Sequence, residues 1–272
     1  MAGTSAVITI PSDLRESVIA IATDSGRAIM EIYQDHFQVQ IKADMSPLTQ
    51  ADLTSHQIIV HGLKQLTPSL PVLSEESTGI TWEERRHWTS YWLVDPLDGT
   101  REFVKRNGEF CINIALIHEG IPVYGMILAP VEGTIWHAMH GGQAFRRDGH
   151  RDTTLHVRAP AGTALQVAAS RSHIDVHTSA LLAQMKEITL VSQGSALKFC
   201  RLAEGTLDVY PRLGATYEWD TAAGQCLLLA AGGTLLNIET GKPFRYNKRE
   251  TLLNNGFIAL GDATLPWRDW LA

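Results

Sequence analysis

The residues best suited to chemistry lie in Tyr91-Trp92-Leu93-Val94-Asp95-Pro96-Leu97-Asp98-Gly99-Thr100. The first four read as a short buried strand. It stops at Asp95-Pro96, because proline cannot donate to a sheet ladder and keeps the preceding residue out of the helical region. Gly99 then permits a turn that a side chain would resist. Two carboxylates and a hydroxyl are thereby expected at the carboxyl end of a core strand, where open α/β sheets bind ligands. Crowded carboxylates repel one another unless a cation lies between them, and hard oxygen ligands suit Mg²⁺ or Ca²⁺. A magnesium site is one reading; an acidic turn after a strand fits the same residues.

Further acids stand at comparable places. Pro71-Val72-Leu73-Ser74-Glu75-Glu76 is a second short apolar strand that ends in carboxylates. Asp52 falls in the first turn of a helix beginning near Thr49, and Asp220 opens the apolar helix of Glu218-Trp219-Asp220-Thr221-Ala222-Ala223. The helix dipole favours a carboxylate at either place, so capping alone would explain both.

The elements that must position these acids follow from hydrophobic spacing. Asp13 and Glu16 have capping-box spacing, and Leu14, Val18, Ile21, Ala22, Ala28, Ile29 and Ile32 then recur at helical intervals, which predicts a helix over 13–34. Val39 and Ile41 read as extended, ahead of the polar, proline-broken run Lys42–Thr49. Leu53, Ile58, Ile59, Leu63 and Leu66 mark the second helix. Residues 77–90, rich in charge and tryptophan, read as a surface excursion. Strands are expected at Phe110–Ile117, Val123–Leu128 and Thr134–Ala138, joined as an antiparallel meander. Gly141-Gly142, Asp148-Gly149 and the polar run to Thr154 mark a seam, giving an N-terminal α+β half over 12–150 and a C-terminal α/β half over 151–272. In the second half Leu165–Ala169, Ile188–Val191 and Leu207–Tyr210 read as strands. Residues 175–186, 195–204 and 219–231 read as helices, the last stopped by Gly232-Gly233. Such alternation suggests an α/β sandwich.

The whole chain sets bounds. Its 272 residues, 44% hydrophobic and 19% charged, can bury a substantial core, so disorder is not expected. A net charge of −6 argues against a nucleic-acid polymer as partner but not against a small anionic ligand beside a bound metal. Cys111, Cys200 and Cys226 are scattered without a C-x-x-C pair, which disfavours zinc or a disulfide framework and suits a reducing cytosol. No stretch reads as a secretory signal or as a transmembrane segment. The expectation is a soluble intracellular protein.

Taken together, Ser74-Glu75-Glu76, Asp95-Pro96-Leu97-Asp98-Gly99-Thr100 and Trp219-Asp220-x-Ala222-Ala223 resemble the inositol monophosphatase superfamily of magnesium-dependent, lithium-sensitive phosphomonoesterases, in the same order and at similar spacing. The resemblance runs from the first helix to Gly256-Phe257. Arg101-Glu102-Phe103, Lys105-Arg106-Asn107-Gly108-Glu109-Phe110, Ser170-Arg171-Ser172-His173 and Gly194-Ser195-Ala196-Leu197-Lys198-Phe199-Cys200 look like the 3′(2′),5′-bisphosphate nucleotidase branch of the bacterial CysQ type. That branch commonly has serine where Ala196 stands, so one hydroxyl is missing here.

The resemblance implies a layered α/β/α/β/α sandwich. It also implies that Glu75, Asp95 and the main-chain carbonyl of Leu97 hold one Mg²⁺. Asp95, Asp98 and Asp220 would hold a second, and Glu75 would help with a weaker third, Mn²⁺ being a possible substitute. Asp52 and Thr100, with Glu75, would form the catalytic group that orients and deprotonates a water. Gly99 and Thr100 would donate backbone N–H groups to the phosphate, with Glu75, Leu97, Asp98 and Asp220 bordering it. Ser172, His173, Ser195 and Lys198 would contact the second phosphate or the nucleotide.

The activity implied is hydrolysis of the 3′-phosphate of adenosine 3′,5′-bisphosphate to AMP, and of its sulfated analogue, in sulfate assimilation. The protein would work in the cytoplasm, free or loosely attached to the inner membrane's cytoplasmic face, as monomer or dimer. Three rivals stand beside this reading. An inositol or sugar phosphatase of the same superfamily would differ in the pocket, where Arg101, Glu102 and Lys198 discriminate. A haloacid-dehalogenase-type phosphatase would need its aspartates two apart, and here they are three apart. A non-catalytic Ca²⁺- or nucleotide-binding protein would not need the water-activating pair Asp52 and Thr100.

Overall fold

A computed structural model of the chain describes residues 12–35, 38–41, 47–171 and 175–271. Ser172 and His173, named above as substrate contacts, and residues 42–46 of the polar run lie outside the described residues.

The first helix, α1 (Ser12–Gln34), buries Val18, Ala22 and Ile29 at the helical spacing expected from its sequence. A small antiparallel pair, β1 (Val39–Ile41) and β2 (Pro47–Thr49), leads into α2 (Gln50–Leu66). Then come β3 (Val72–Ser74), a short α3 (Trp82–Arg85), β4 (Ser90–Asp98) and α4 (Thr100–Val104). The meander β5 (Cys111–His118), β6 (Ile121–Ala129), β7 (Thr134–Met139), β8 (Ala144–Asp148) and β9 (Arg151–Leu155) completes a seven-stranded sheet in the order β3-β4-β5-β6-β7-β8-β9. Only its β3–β4 pair is parallel. The polar run read as a seam is thus the β8–β9 hairpin, and β9 belongs to the first sheet. Four of the five β9 residues are exposed, so no apolar alternation advertised it.

The second sheet takes β10 (Leu165–Ser170), β11 (Ile188–Gln193), β12 (Val209–Arg212), β13 (Thr234–Asn237) and β14 (Phe257–Leu260), in the order β11-β10-β12-β14-β13. The helices of this part are α5 (Val176–Gln184), α6 (Leu197–Ala203) and α7 (Glu218–Ala230), with a final 3₁₀ turn at Trp267–Leu271.

Three buried clusters define the layers. Val18, Ile29, Ile59 and Leu63 of α1 and α2 pack on Trp92, Val94, Ile112 and Met126, one face of the first sheet. Its other face, through Leu93, Cys111 and Trp136, meets Phe199 and Leu202 of α6 and Cys226 and Leu227 of α7, which also touch Tyr210 and Phe257 of the second sheet. Val167 and Ile258 then cover the far face of that sheet against Leu181, Leu182 and Trp267. The stack is α/β/α/β/α. Each fully buried Leu, Ile or Phe in it contributes roughly 2 kcal/mol by leaving water. The middle helix layer matters most for the site, because α7 brings Asp220 to the first sheet.

Candidate active site

On a regular strand, residues three apart face opposite ways. Along β4 the pairing with β5 runs Asp95 to Asn113 and then Asp98 to Cys111, so β4 carries one extra residue. The resulting bulge turns Asp98 to the same face as Asp95, towards the middle helix layer. Proline at 96 suits a position where no ladder N–H is required, and its carbonyl instead accepts the Ser55 hydroxyl at 2.6 Å. Gly99 follows with φ +94° and begins α4.

Each carboxylate is held by few, definite partners. Asp95 is 2% exposed and accepts the Leu97 N–H at 3.0 Å. Asp98 Oδ2 accepts the Ala196 N–H at 2.5 Å and the Asn113 amide at 3.3 Å, with the Cys111 thiol at 3.7 Å. Asp220 accepts the Tyr217 N–H at 2.8 Å. Glu75 extends β3 along β4, its N–H bonded to Val94 O at 3.0 Å.

Burial pushes Asp95 well above the usual carboxylate range, and the charges of Glu75, Asp98 and Asp220 push it further. Burial and then Asp98 do the same to Asp220. Asp98 is also raised by burial, with Lys198 opposing. Burial keeps the Cys111 thiol protonated, so the donors here are hard oxygens rather than a soft thiolate. The charges of Glu75, Asp98 and Asp220 all bear on Asp95, an electrostatic need that a divalent cation with oxygen ligands would meet. Among the described residues, no group of three or more acid, histidine or cysteine side chains is drawn together closely enough to hold a metal ion as it stands.

Asp52 and Thr100 form a second unit. Thr49 caps α2, and both its N–H and its hydroxyl reach Asp52 Oδ2, at 2.7 and 2.6 Å. The other oxygen, Oδ1, accepts the Thr100 hydroxyl at 3.0 Å. Asp52 is therefore both a cap and the partner of Thr100. It is 1% exposed, and burial raises its pKa.

A cavity of about 160 Å³ opens beside Asp98 and Asp220, lined also by Arg101, Lys198, Tyr210 and Arg212. A larger hollow of about 480 Å³, against Glu31, Leu48 and Leu53, contains none of the four acids. Lys198 is 3% exposed. Its ammonium donates to Gln193 O at 3.1 Å and Ser195 O at 2.6 Å and lies 5.0 Å from the Tyr210 ring centre. Burial lowers its pKa to about 8. Lys198 therefore ties down the turn, with Ser195 at φ +50°, that presents Ala196 N–H to Asp98. Because Ala196 gives its main chain, the missing serine hydroxyl costs nothing at that contact.

The sequence assigns no role to Arg212, to Asn113 or to the main chain of Ala196. Arg212 lines the cavity and donates to the Ser170 hydroxyl at 2.7 Å. Only a bulge and a contact between sheets reveal the other two, and neither has a local sequence signal.

The chain matches the model of the inositol monophosphatase family over residues 11–265. It is 46% identical over 244 residues to the 3′(2′),5′-bisphosphate nucleotidase CysQ of Escherichia coli strain K12, covering 89% of this chain and 97% of that one. The protein of the same name from Haemophilus influenzae is 36% identical, covering 96% and 98%. Among solved structures, CysQ from Bacteroides thetaiotaomicron superposes with a TM-score of 0.81 at 39% identity, over 92% of this chain and 97% of that one. The sandwich, the order of the acid-bearing blocks and this breadth of likeness agree: the chain belongs to the inositol monophosphatase family.

Proposed function

We propose that this protein is a Mg²⁺-dependent phosphomonoesterase that removes the 3′-phosphate of adenosine 3′,5′-bisphosphate, giving AMP and phosphate. The observation that carries the hydrolytic reading is the Asp52–Thr100 hydrogen bond at the edge of a buried acid cluster. The nucleotide reading rests on likeness to the CysQ nucleotidases across nearly their whole length.

Glu75, Asp95, Asp98, Asp220 and the Leu97 carbonyl would hold two to three Mg²⁺ ions, with Mn²⁺ able to replace them. Such ions would neutralise phosphate oxygens, lower the pKa of a water and stabilise the departing alkoxide. The residues then have distinct tasks. Thr100 gives its proton to Asp52 in a hydrogen bond, which turns the lone pairs of its oxygen towards a water placed for in-line attack. The pair accepts that water's proton, with Glu75 proposed to assist. Gly99 and Thr100 N–H groups would take a phosphate oxygen. Ser195, Lys198, Ser172 and His173 are proposed for the second phosphate or the nucleoside, with Lys198 also holding the turn on which Ser195 sits. Because Asp52, Thr100 and Lys198 are held by hydrogen bonds before substrate arrives, little reorganisation of them is needed at reaction.

The same reading extends to the sulfated analogue and to a cytoplasmic role in sulfate assimilation. No helix among the described residues is long and apolar enough to cross a membrane. The test is phosphate release from adenosine 3′,5′-bisphosphate, inositol 1-phosphate and fructose 1,6-bisphosphate, with Mg²⁺ and with added Li⁺. The expected result is preference for the nucleotide and inhibition by Li⁺. Preference for inositol 1-phosphate would assign the protein to another branch of the family.

A further inference from the structure

Asp220 is the one acid of the cluster that comes from the middle helix layer, and the segment that carries it is moored in an unexpected place. Its N-terminal turn hangs on residues 252–254. Glu218 N–H bonds to Leu252 O at 2.9 Å, Asn254 N–H to Thr216 O at 2.8 Å, and the Asn254 amide to Tyr217 O at 2.7 Å and to the Thr221 hydroxyl at 3.1 Å. Tyr217 and Leu253 also form an antiparallel bridge. Asn247, in the same loop, donates its N–H to Glu218 Oε2 at 2.8 Å.

That loop is pinned by a residue of the opposite half of the chain. Arg85 donates to Asn247 Oδ1 at 2.6 Å and to Arg249 O at 3.1 Å, and also to Glu250 O. Asn247 returns its amide to Arg85 O at 2.6 Å. Arg85 is 3% exposed, Asn247 5% and Glu218 2%. Arg85 ends α3, in a stretch read from the sequence as a surface excursion, and β4 with Asp95 and Asp98 begins five residues later, at Ser90. A short covalent link therefore joins Arg85 to the strand bearing two of the acids. A chain of buried hydrogen bonds joins it to the helix bearing another. Buried groups in such a chain have no water to fall back on, so the arrangement is discrete rather than elastic.

We propose that Arg85 is a positioning residue for Asp220, fixing its helix against β4 so that Asp220, Asp98 and Asp95 can bind one divalent cation together. This rests on the metal-site reading above. The Arg85 fork suits the task because two nitrogens held apart in one plane reach three carbonyl oxygens of one loop, a fixed span that a lysine's single ammonium does not offer.

The test is Mn²⁺ binding to the full chain by calorimetry, in wild type, Arg85→Met, Asp220→Asn and the double variant. The expected result is a roughly tenfold weaker Mn²⁺ affinity in Arg85→Met and no further loss when Arg85→Met is added to Asp220→Asn, since non-additivity marks residues that act together. Arg158→Met removes a guanidinium from the buried Asp208, a pair that takes no part in the hydrogen bonds joining Arg85 to Glu218; it should lower stability and leave Mn²⁺ affinity unchanged. If Arg85→Met does not fold, Arg85→Lys is carried through the same cycle with the same criterion. Unchanged affinity, an additive loss, or an equal loss in Arg158→Met would overturn the proposal. If Asp220→Asn and Asp98→Asn both bind Mn²⁺ as wild type does, the metal-site reading itself fails, which is a separate result.

Discussion

The Asp98 carboxylate accepts the backbone N–H of Ala196 at 2.5 Å, across 98 residues of chain. One acid of the first sheet is thus oriented by the first turn leading into α6. The bond engages Oδ2, so that Oδ1 would be the oxygen offered to the proposed cation.

Asp98→Asn should keep this bond, since an amide oxygen also accepts an N–H, while removing the charge that a metal requires. Turnover is expected to fall on the order of a thousandfold, the scale of a lost metal-borne charge stabilisation. The thermal midpoint should change by only a few degrees. Activity assays at saturating Mg²⁺ beside thermal unfolding check both halves; a variant with most of its activity would refute the ligand assignments.

Thr100→Val removes the hydroxyl that Asp52 holds at 3.0 Å and changes little else in size. The expected effect is a loss of about a hundredfold in kcat, typical of a missing acid–base group, with little change in KM. Thr100→Ser restores the hydroxyl and should recover most of the rate. Equal losses in both variants would point to packing rather than proton handling.

Much of this site was legible beforehand because acids at strand and helix ends have local signatures. The strand core Tyr91–Val94 and the capped start of α2 could be read from residue type and spacing, but the expected stop at Asp95-Pro96 is not there: β4 runs on through Pro96 to Asp98, because the bulge leaves proline without a ladder N–H to supply. What could not be read depends on register or on distant partners. Asp95 and Asp98 share a face only through a bulge, and a period of two argues the opposite. The β8–β9 hairpin reads as a seam in the sequence because a largely solvent-exposed strand needs no apolar alternation. Arg85 sits among charged residues typical of a surface, yet carbonyls from residues 249 and 250 supply the partners that let it be buried.

His137 gives the fold a pH dependence away from the site. It is 1% exposed, lies 3.2 Å from Asp152 Oδ1, and has its pKa lowered because burial outweighs that carboxylate. A lowered folded-state value means that the unfolded chain takes up the proton first as the pH falls. The stability contributed is therefore complete above about pH 6.5, the unfolded histidine value, and is lost as the pH falls below it. Asp152 adds a lower window. Arg147 holds it down at about 2, so its contribution fades only as the pH drops from about 4. Urea midpoints from pH 8 to pH 5 should decline more steeply for wild type than for His137→Gln, which keeps an amide near Asp152 without a titrating ring. Parallel curves would remove His137 as a cause.

Gly194 sits where the second sheet hands the chain to Ala196. A Cβ there would lie 2.6 Å from Glu102 Cγ and 2.7 Å from the Glu109 carbonyl oxygen. The Gly194 N–H also bonds to Glu109 Oε2 at 2.8 Å, and Arg171 clamps the same carboxylate at 2.6 and 2.7 Å. Glu109 is therefore held from two sides, and its backbone oxygen cannot retreat as the end of a flexible side chain could. Gly194→Ala must move the turn instead, and with it the Ala196 N–H that orients Asp98. Overpacking of this kind costs about 1–3 kcal/mol of stability. A shift near 1 Å at reacting groups costs on the order of a hundredfold in rate. The variant is expected to fold with a reduced thermal midpoint and to lose activity far beyond that change, with Mn²⁺ affinity falling as well because Asp98 is misaligned. Activity lost with Mn²⁺ affinity retained would place the effect of Gly194 on the substrate instead of on Asp98.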